Sequence, residues 1–536
     1  MKKLTKAYTT LMISFISLFS LAQPTMVKDI FEGTNGASPT NFTTHNNKLY
    51  FSVRDTLNPT YSNFLYESDG TSNGTNKLPN TGYMTNITTF GNKILFSGDP
   101  TGGNNHEPWI TDGTTAGTVL LKEINPGFNG SSPNFIALNN QTAFIYNGYG
   151  IFKTNGTAAG TSLLLPIILS NKVIAFKNKI YFWGTYNSVQ GLWSFDENST
   201  APTLMAQHTN STYNFALSVG ANSFYYVATD AEHGYEPWVS DGTAAGTHLL
   251  KDIRPGTASS CDDGSSSSYT SFAIVNDKVY FNPVDNTYGR ELWVSNGTEA
   301  GTNLFFELTP GATSGNPRKL ISVGNQFYFA ARYPGYNTDF VWVSDLTAAG
   351  TKIVTDKNDS YIEEGGMFAL NNKLFVKGRD RSNQILGFEP FITDGSKAGT
   401  YMLADIDSTP FAESISSTFN QLPFVVGNTI YFVADDAKHG NELWKYTDNG
   451  NGGTQVKEVK ATYNNNNISV YPNPAHSQLT ITSLIAIDKT ELYNVTGSLV
   501  LSTAETTIDI STLTNGVYFT RVYTAQGITT QKTIKN

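Results

Sequence analysis

The residues of this sequence with the chemistry to bind or react recur in repeated phrases. "PWVSDGTAAGT" (Pro237 to Thr247) returns as "PWITDGTTAGT" from Pro108, "IFKTNGTAAGT" from Ile151, "LWVSNGTEAGT" from Leu292, "VWVSDLTAAGT" from Val341 and "PFITDGSKAGT" from Pro390. An acid beside two glycines and several hydroxyls has the ingredients of a calcium loop, a sugar-binding loop or a turn. Calcium wants about six to eight oxygen ligands, and Asp112, Asp241 and Asp394 are the anchors that would bring charged ones. A turn uses the same side chain to accept a hydrogen bond from the backbone two residues on, and the next Gly supplies a backbone angle closed to other residues. Asn155 and Asn296 replace the Asp while the rest of the phrase persists, and Leu346 stands where its neighbours have Gly. A turn tolerates the Asn swap, whereas a calcium site loses a charge. The phrase is therefore expected to be a turn, with calcium in some loops as the alternative and no other cofactor.

Other reactive types repeat in the same way. Glu107, Glu236, Glu291, Glu389 and Glu442 each precede the aromatic of the phrase. A glycosidase needs two carboxylates about one bond, so a repeated Glu serves only where one unit breaks symmetry, and none visibly does. His106, His233 and His439 fall in the turn just before, and equivalent positions in a repeat are spread apart rather than gathered within ~2 Å of one metal. Cys261, the single cysteine, sits in "SSCDDGSSSS" with no fixed base beside it and reads as an incidental thiol. No HExxH, GxSxG, P-loop or CxxC pattern occurs, so no catalytic or cofactor-binding residue is assigned. Repeat proteins put sites where repeats differ. The irregular stretches are 256–270, 331–340 and 378–390. Arg332, Tyr333 and Tyr336 in the second are the ligand-binding candidates, expected to be exposed and able to stack on a sugar ring.

The elements that position these residues follow from the period. Anchors fall at Asp69, Asp112, Asn155, Asp196, Asp241, Asn296, Asp345, Asp394 and Asp448, about 41 to 55 residues apart, the span of a propeller blade. Three residues earlier stand Tyr66, Trp109, Phe152, Trp193, Trp238, Trp293, Trp342 and Phe391, with Trp444 four before Asp448. An aromatic in all nine units is a packing position, contributing on the order of 2–3 kcal/mol per buried ring. Each unit also holds a β-branched and aromatic run such as "KLYFSV" or "TIYFVA", a polar turn, and an apolar run after "AGT". Four short strands per unit without helical periodicity predict an all-β fold. The expected arrangement is a β-propeller of about eight or nine four-stranded blades over 23–460, with two smaller propellers or an open array as the alternatives, then a linker at 461–467 and a small C-terminal β-sandwich over 468–536. "MVKDI" (Met26 to Ile30) matches the post-AGT strand with no unit before it, and competes with "QVKEV" near Val456 to complete the last blade.

The whole chain agrees with an exported protein. Lys2, Lys3 and Lys6 precede an apolar run from Leu11 to Ala22, which predicts a signal peptide over 1–22 cut between Ala22 and Gln23. No later stretch is long enough to cross a membrane as a helix. Of the 536 residues only 15% are charged, and the net charge of −9 argues against nucleic acid as a partner.

The tail reads "ISVYPNPAHSQLTI", "ELYNVTGSLVLS" and "LTNGVYF" through "KTIKN", with "YPNP" at Tyr471, Pro472, Asn473 and Pro474 as its opening motif. Over 468–536 it resembles the type A C-terminal sorting domain of proteins exported by the type IX secretion system of Bacteroidetes. That resemblance implies engagement of the secretion machinery, passage across the outer membrane, removal of the tail, and release or surface attachment. The repeats, of which "ELWVSNGTEAGT" at Glu291 to Thr302 is nearest the consensus, resemble the ELWxxDGT repeats of exported proteins from the same bacteria. The expectation is a secreted or cell-surface, non-enzymatic module for adhesion or for binding an extracellular glycan or protein. A glycan-degrading lyase or glycosidase on the same propeller is one alternative, and a purely structural surface or matrix component is another.

Overall fold

Runs such as "KLYFSV", "KIYFWG" and "TIYFVA" are rich in consecutive aliphatic and aromatic residues, which suits strands covered on both faces. In the computed structural model they become the second strands of successive sheets: Lys48–Arg54, Lys179–Tyr186 and Thr429–Asp435 are almost wholly buried. The structure describes residues 22–536 except 55–62, 79–81, 83, 100–104, 128–129, 140, 168–172, 210–215, 263–269, 312, 335, 337–338, 355–365, 379–386, 410–413, 416–422, 450–468, 484–485, 495–498 and 525–526. The signal peptide apart from Ala22, the linker 461–467, "QVKEV" and most of the stretch 378–390 therefore lie outside the described residues. The described residues are all-β, with no helix.

Contacts divide the chain into one unit ending at Thr454 and another from Gln455 to Asn536. The first holds nine four-stranded antiparallel sheets. Sheets 1 to 8 occupy residues 40–77, 84–120, 134–165, 173–207, 217–249, 272–306, 318–353 and 367–402, each with its strands in chain order apart from a small ribbon, Val284–Asp285 with Gly289–Arg290, inserted in sheet 6. Sheet 9 is built differently. Phe424–Val426, Thr429–Asp435 and Asn441–Thr447 supply three strands, and the fourth is the N-terminal strand Thr25–Lys28. Thr25 stands opposite Lys445, Met26 opposite Trp444 and Lys28 opposite Leu443. "MVKDI" thus fills the place that the post-AGT run fills elsewhere.

First strands meet between sheets 1 and 2, 2 and 3, 3 and 4, 5 and 6, 6 and 7, and 7 and 8, and the first strand of sheet 9 meets that of sheet 1. An apolar core fills each junction. Tyr50 and Leu65 of sheet 1 pack with Met84, Ile94 and Phe96 of sheet 2, and Val27, Tyr431 and Leu443 of sheet 9 pack with Leu49, Phe51 and Val53 of sheet 1. The nine repeated aromatics take one register position, opposite the second strand: Tyr66 faces Phe51, Trp109 Phe96, Trp238 Tyr226, Trp342 Phe329 and Trp444 Phe432. Four of these pairs lie stacked, with centroids 5.8–6.4 Å apart.

In the second unit, Ser469–Tyr471, Gln478–Thr482 and Thr507–Asp509 form one sheet. Ile487–Asn494, Leu499–Thr503, Gly516–Thr524 and Gly527–Lys535 form another. Val470, Leu479, Ile481 and Ile508 from the first share a core with Leu492 and Val522 from the second.

Candidate functional site

The anchor phrase folds into one hydrogen-bonded unit, repeated with little variation. In sheet 2, Asp112 Oδ1 accepts from the Thr114 N–H (2.9 Å) and hydroxyl (2.7 Å), and the Thr114 oxygen accepts from the Gly117 N–H at 2.9 Å. The Thr118 hydroxyl donates to the Thr114 carbonyl and meets the Thr111 hydroxyl, which also accepts from the Gly113 N–H. Asp241 and Asp394 repeat these contacts on sheets 5 and 8. Where Asn155 and Asn296 replace Asp, the amide oxygen accepts the same two hydrogen bonds, from the backbone N–H at 3.1 Å and from the threonine hydroxyl at 2.7 and 2.8 Å. The threonine hydrogen bonds hold the carboxyls of Asp69, Asp112, Asp241 and Asp345 below their usual range.

Both glycines of the phrase have a physical reason. The first has φ of +92° in Gly113 and +93° in Gly242, and Leu346 adopts +73° in its place. A Cβ on the second, Gly117 or Gly246, would collide with the Asp112 or Asp241 carboxylate. The three calcium candidates, Asp112, Asp241 and Asp394, stand on three different sheets. Among the described residues no three His, Cys, Asp or Glu gather as a metal site would require.

The repeated glutamates are junction residues. Glu236 is fully buried and accepts from the Ile253 N–H (3.1 Å), the Ser260 N–H (2.9 Å) and the Ser260 hydroxyl. Glu107 takes Ile124, Asn125 and Ser131 in the same way, Glu291 takes Leu308, Thr309 and Gly315, and Glu389 takes Ile406 and Ser414. Each thus holds the segment leading to the next sheet, about 17 and 24 residues downstream by the cited pairs. Glu442 in sheet 9 has no such downstream segment among the described residues. It reaches 405 residues back to accept the Ala37 N–H at 2.9 Å. Burial pushes the carboxyls of Glu236, Glu291, Glu389 and Glu442 up to about 7 against the opposing pull of these donors.

Sheets without this glutamate solve the junction otherwise. Gly150 and Gly191 take its place in sheets 3 and 4, and Phe64 and Phe340 in sheets 1 and 7; in sheet 4 the outer strand continues as far as Gly191 opposite Gln207. A Cβ on Gly191 would strike the Ala206 carbonyl. His208, 17 residues past Gly191, lies where Glu-bearing units have Ile or Leu. It is buried beside Trp238 and the Tyr226 hydroxyl, and burial lowers its pKa to about 4.

The remaining candidates are distributed. His233 and His439 bond Asp230 and Asp436 three residues before them, at 2.9 and 2.8 Å, and these bonds raise their pKa values. His106 is on a third sheet. Cys261 is buried, and burial pushes its thiol well up, away from reactivity. Of the three irregular-hairpin candidates only Arg332 is exposed. Tyr333 and Tyr336 are half-buried, contrary to expectation. The hairpin folds back so that Tyr333 stacks on Trp342 at 6.0 Å and Tyr336 meets Phe340 edge-on at 5.5 Å.

In the tail, Asn473 of the "YPNP" motif donates to the Lys532 carbonyl and accepts from the Ile534 N–H, at 2.7 and 2.8 Å. The motif ties the last strand to the first sheet of that unit. Ala22 and Gln23, the expected cleavage pair, are separated from the strand Thr25–Lys28 by Pro24.

The sequence missed the partners of the glutamates and the hydroxyls at each end of the turn. A fixed interval from Glu to Ile or Leu, and a Ser or Thr before each anchor and at the end of "AGT", are the signals that mark them.

Residues 469–536 match the family described as secretion system C-terminal sorting domain, so a type IX sorting domain closes this chain. No curated protein matches the chain. Among solved structures, the β-propeller domain of the Trilobed protease from Pyrococcus furiosus is 12% identical over 61% of this chain and 100% of that one, with a TM-score of 0.31. An oligogalacturonate lyase in complex with manganese is 12% identical over 77% and 98%, with a TM-score of 0.34. A puromycin-hydrolyzing peptidase of Mycobacterium tuberculosis is 9% identical over 77% of this chain and 61% of its own, with a TM-score of 0.37. Likenesses at this level carry no substrate or reaction with them. The sorting domain places the protein among exported ones, at the surface or secreted, and no described helix is long and apolar enough to cross a membrane.

Proposed function

We propose that this protein is a non-enzymatic binding module that type IX secretion delivers to the cell surface or medium. In this reading residues 23–460 form a nine-bladed propeller of ELWxxDGT repeats closed by its own N-terminal strand. The tail, 468–536, is a β-sandwich read by the secretion machinery. One observation supports the non-enzymatic reading above others: the side chains with catalytic potential recur from sheet to sheet, and each is engaged in a turn or a junction. Asp112, Asp241 and Asp394 serve as turn residues, and Glu107, Glu236, Glu291, Glu389 and Glu442 hold the connections. Recognition then belongs to surfaces where the repeats differ, with Arg332 and the edge of Tyr336 as the proposed contacts for an extracellular glycan or protein.

The test is a glycan array probed with the mature chain, 23–536, followed by product analysis on every hit. Binding without a product, weakened at least several-fold in Arg332→Ala, is the expected result. A released product sinks the non-enzymatic reading. Silence on the array and against host extracellular proteins replaces the binding module with a purely structural component.

A further inference from the structure

The sheet formed by Ile487–Asn494, Leu499–Thr503, Gly516–Thr524 and Gly527–Lys535 has an outer face unlike the rest of its domain. Alternation sends Leu492 and Val522 into the core and leaves Lys489, Glu491, Tyr493, Phe519, Arg521 and Tyr523 on the other side. One cross-strand row runs Leu499, Tyr493, Phe519, Lys532. Leu499 is 52% exposed and Phe519 40%. The outer positions of the companion sheet are Gln478, Thr480, Thr482, Thr507 and Asp509, with Tyr471 the one large apolar exception. A solvated sheet face is ordinarily polar, and the companion sheet shows that this domain builds one.

The polar groups of the unusual face are tightly organised. Glu491 accepts from Lys489 Nζ at 2.8 Å and from the Tyr493 and Tyr523 hydroxyls at 2.7 and 2.6 Å. The Arg521 guanidinium lies 4.7 Å over the Tyr493 ring and Lys489 Nζ 4.3 Å over the Tyr523 ring. The Lys489 bond and the two tyrosines hold the Glu491 carboxyl down to about 2, so its charge is permanent but internally compensated. Three cations, Lys489, Arg521 and Lys532, therefore stand against one engaged carboxylate, in a chain whose net charge is −9. Preordered Tyr and Arg, with exposed Phe519 beside them, are the residue types enriched at protein-binding surfaces.

We infer that this face is where the sorting domain docks on the secretion machinery, against a protein surface that is acidic and apolar. The inference rests on the sorting-domain reading of 469–536. A protein suits the face better than a phosphorylated lipid, because Arg521 and Lys489 are held over aromatic rings and exposed Leu499 and Phe519 stand beside them.

The full-length chain is expressed in a host with a type IX system, and extracellular and periplasmic protein are quantified. Arg521→Glu, and Leu499→Ser combined with Phe519→Ser, are compared with Gln478→Glu on the companion sheet and with a chain ending at 467. Thermal unfolding of each purified full-length variant checks that the tail still folds. The face variants are expected to lose at least five-fold in export while accumulating as folded periplasmic protein, with Gln478→Glu exported normally. Normal export of folded face variants, with the 467 truncation retained, overturns the docking face and leaves the sorting reading intact. Export of the truncation overturns the sorting reading itself. Wild-type binding to lipopolysaccharide vesicles that Arg521→Glu abolishes, without an export defect, overturns the protein partner.

Discussion

A carboxylate that holds two or three backbone donors in a dry junction is costly to remove. Glu236→Ala leaves the Ile253 and Ser260 N–H groups and the Ser260 hydroxyl without their acceptor. It is expected to destabilise the repeat unit by about 2–4 kcal/mol, read as a lowered urea midpoint. The same glutamates set a pH dependence. Glu236, Glu291, Glu389 and Glu442 titrate at about 7 when folded, above the ordinary value of 4.5. Between those values the folded chain binds more protons than the unfolded one, so their stabilisation is complete below 4.5 and lost as pH rises through 7. The urea midpoint should be lower at pH 8 than at pH 5, with a smaller drop in Glu236→Gln; equal midpoints would refute the assignment. The lowered turn aspartates work in the opposite direction, losing their contribution only as pH falls below the usual aspartate range. In the turn itself, Gly246→Ala drives a methyl into the Asp241 carboxylate. A cost of about 1–2 kcal/mol is expected, shrinking in an Asp241→Ala background. Additive costs in the double-mutant cycle would show that the two residues do not meet.

At the scale of the element, the junction is held in more than one way: Glu stands at the position in sheets 2, 5, 6, 8 and 9, Gly in sheets 3 and 4, and Phe64 and Phe340 in sheets 1 and 7. Where Glu is present a carboxylate takes over backbone donors of the connection, and where Gly191 replaces it the ladder runs on to pair Gly191 with Gln207. Gly191→Ala is expected to cost about 1–3 kcal/mol because its Cβ meets the Ala206 carbonyl. Gly148→Ala, with open space at its Cβ, should leave the thermal midpoint within about a degree; a comparable loss at both sites would refute the account. Most strands were legible from periodicity, because a core on both faces demands an unbroken aromatic and β-branched run. The turn was legible as well, since Asx and Gly act within a few residues of themselves. The junctions were not. Glu236 finds Ser260 through the packing of a connection 24 residues long, and Glu442 finds Ala37 across 405. The Glu236 connection leaves only the repeated interval from Glu to Ile or Leu as its trace, and the pairing of Glu442 with Ala37 leaves none. Tyr333 shows the same limit, because its exposure depended on whether the hairpin bent back onto Trp342.

Across the whole molecule, the decisive element is the strand Thr25–Lys28. It pairs along Leu443 to Lys445, its Lys28 Nζ reaches the Thr75 carbonyl in sheet 1 at 2.7 Å, and the segment after it brings Ala37 to Glu442. A mature chain lacking residues 23–31 exposes the edge of sheet 9 and removes the inter-sheet bond made by Lys28. It is expected to aggregate on heating and to lose cooperative unfolding, while removal of the tail leaves the thermal midpoint of the first unit unchanged. Cooperative unfolding in the N-terminal deletion at the parental midpoint would refute the closing role. This arrangement also imposes an order in time. Thr25 is among the first described residues to emerge from the ribosome, and its partner Lys445 follows 420 positions later, by subtraction of the paired residue numbers. At roughly 5–20 residues per second that is a wait of about 20–80 s. Throughout it the early strand has an open edge and no mate. Completion of sheet 9 coincides with the arrival of the last repeat, ahead of the C-terminal sorting domain, so a chain interrupted midway lacks both the mate of its first strand and its sorting domain.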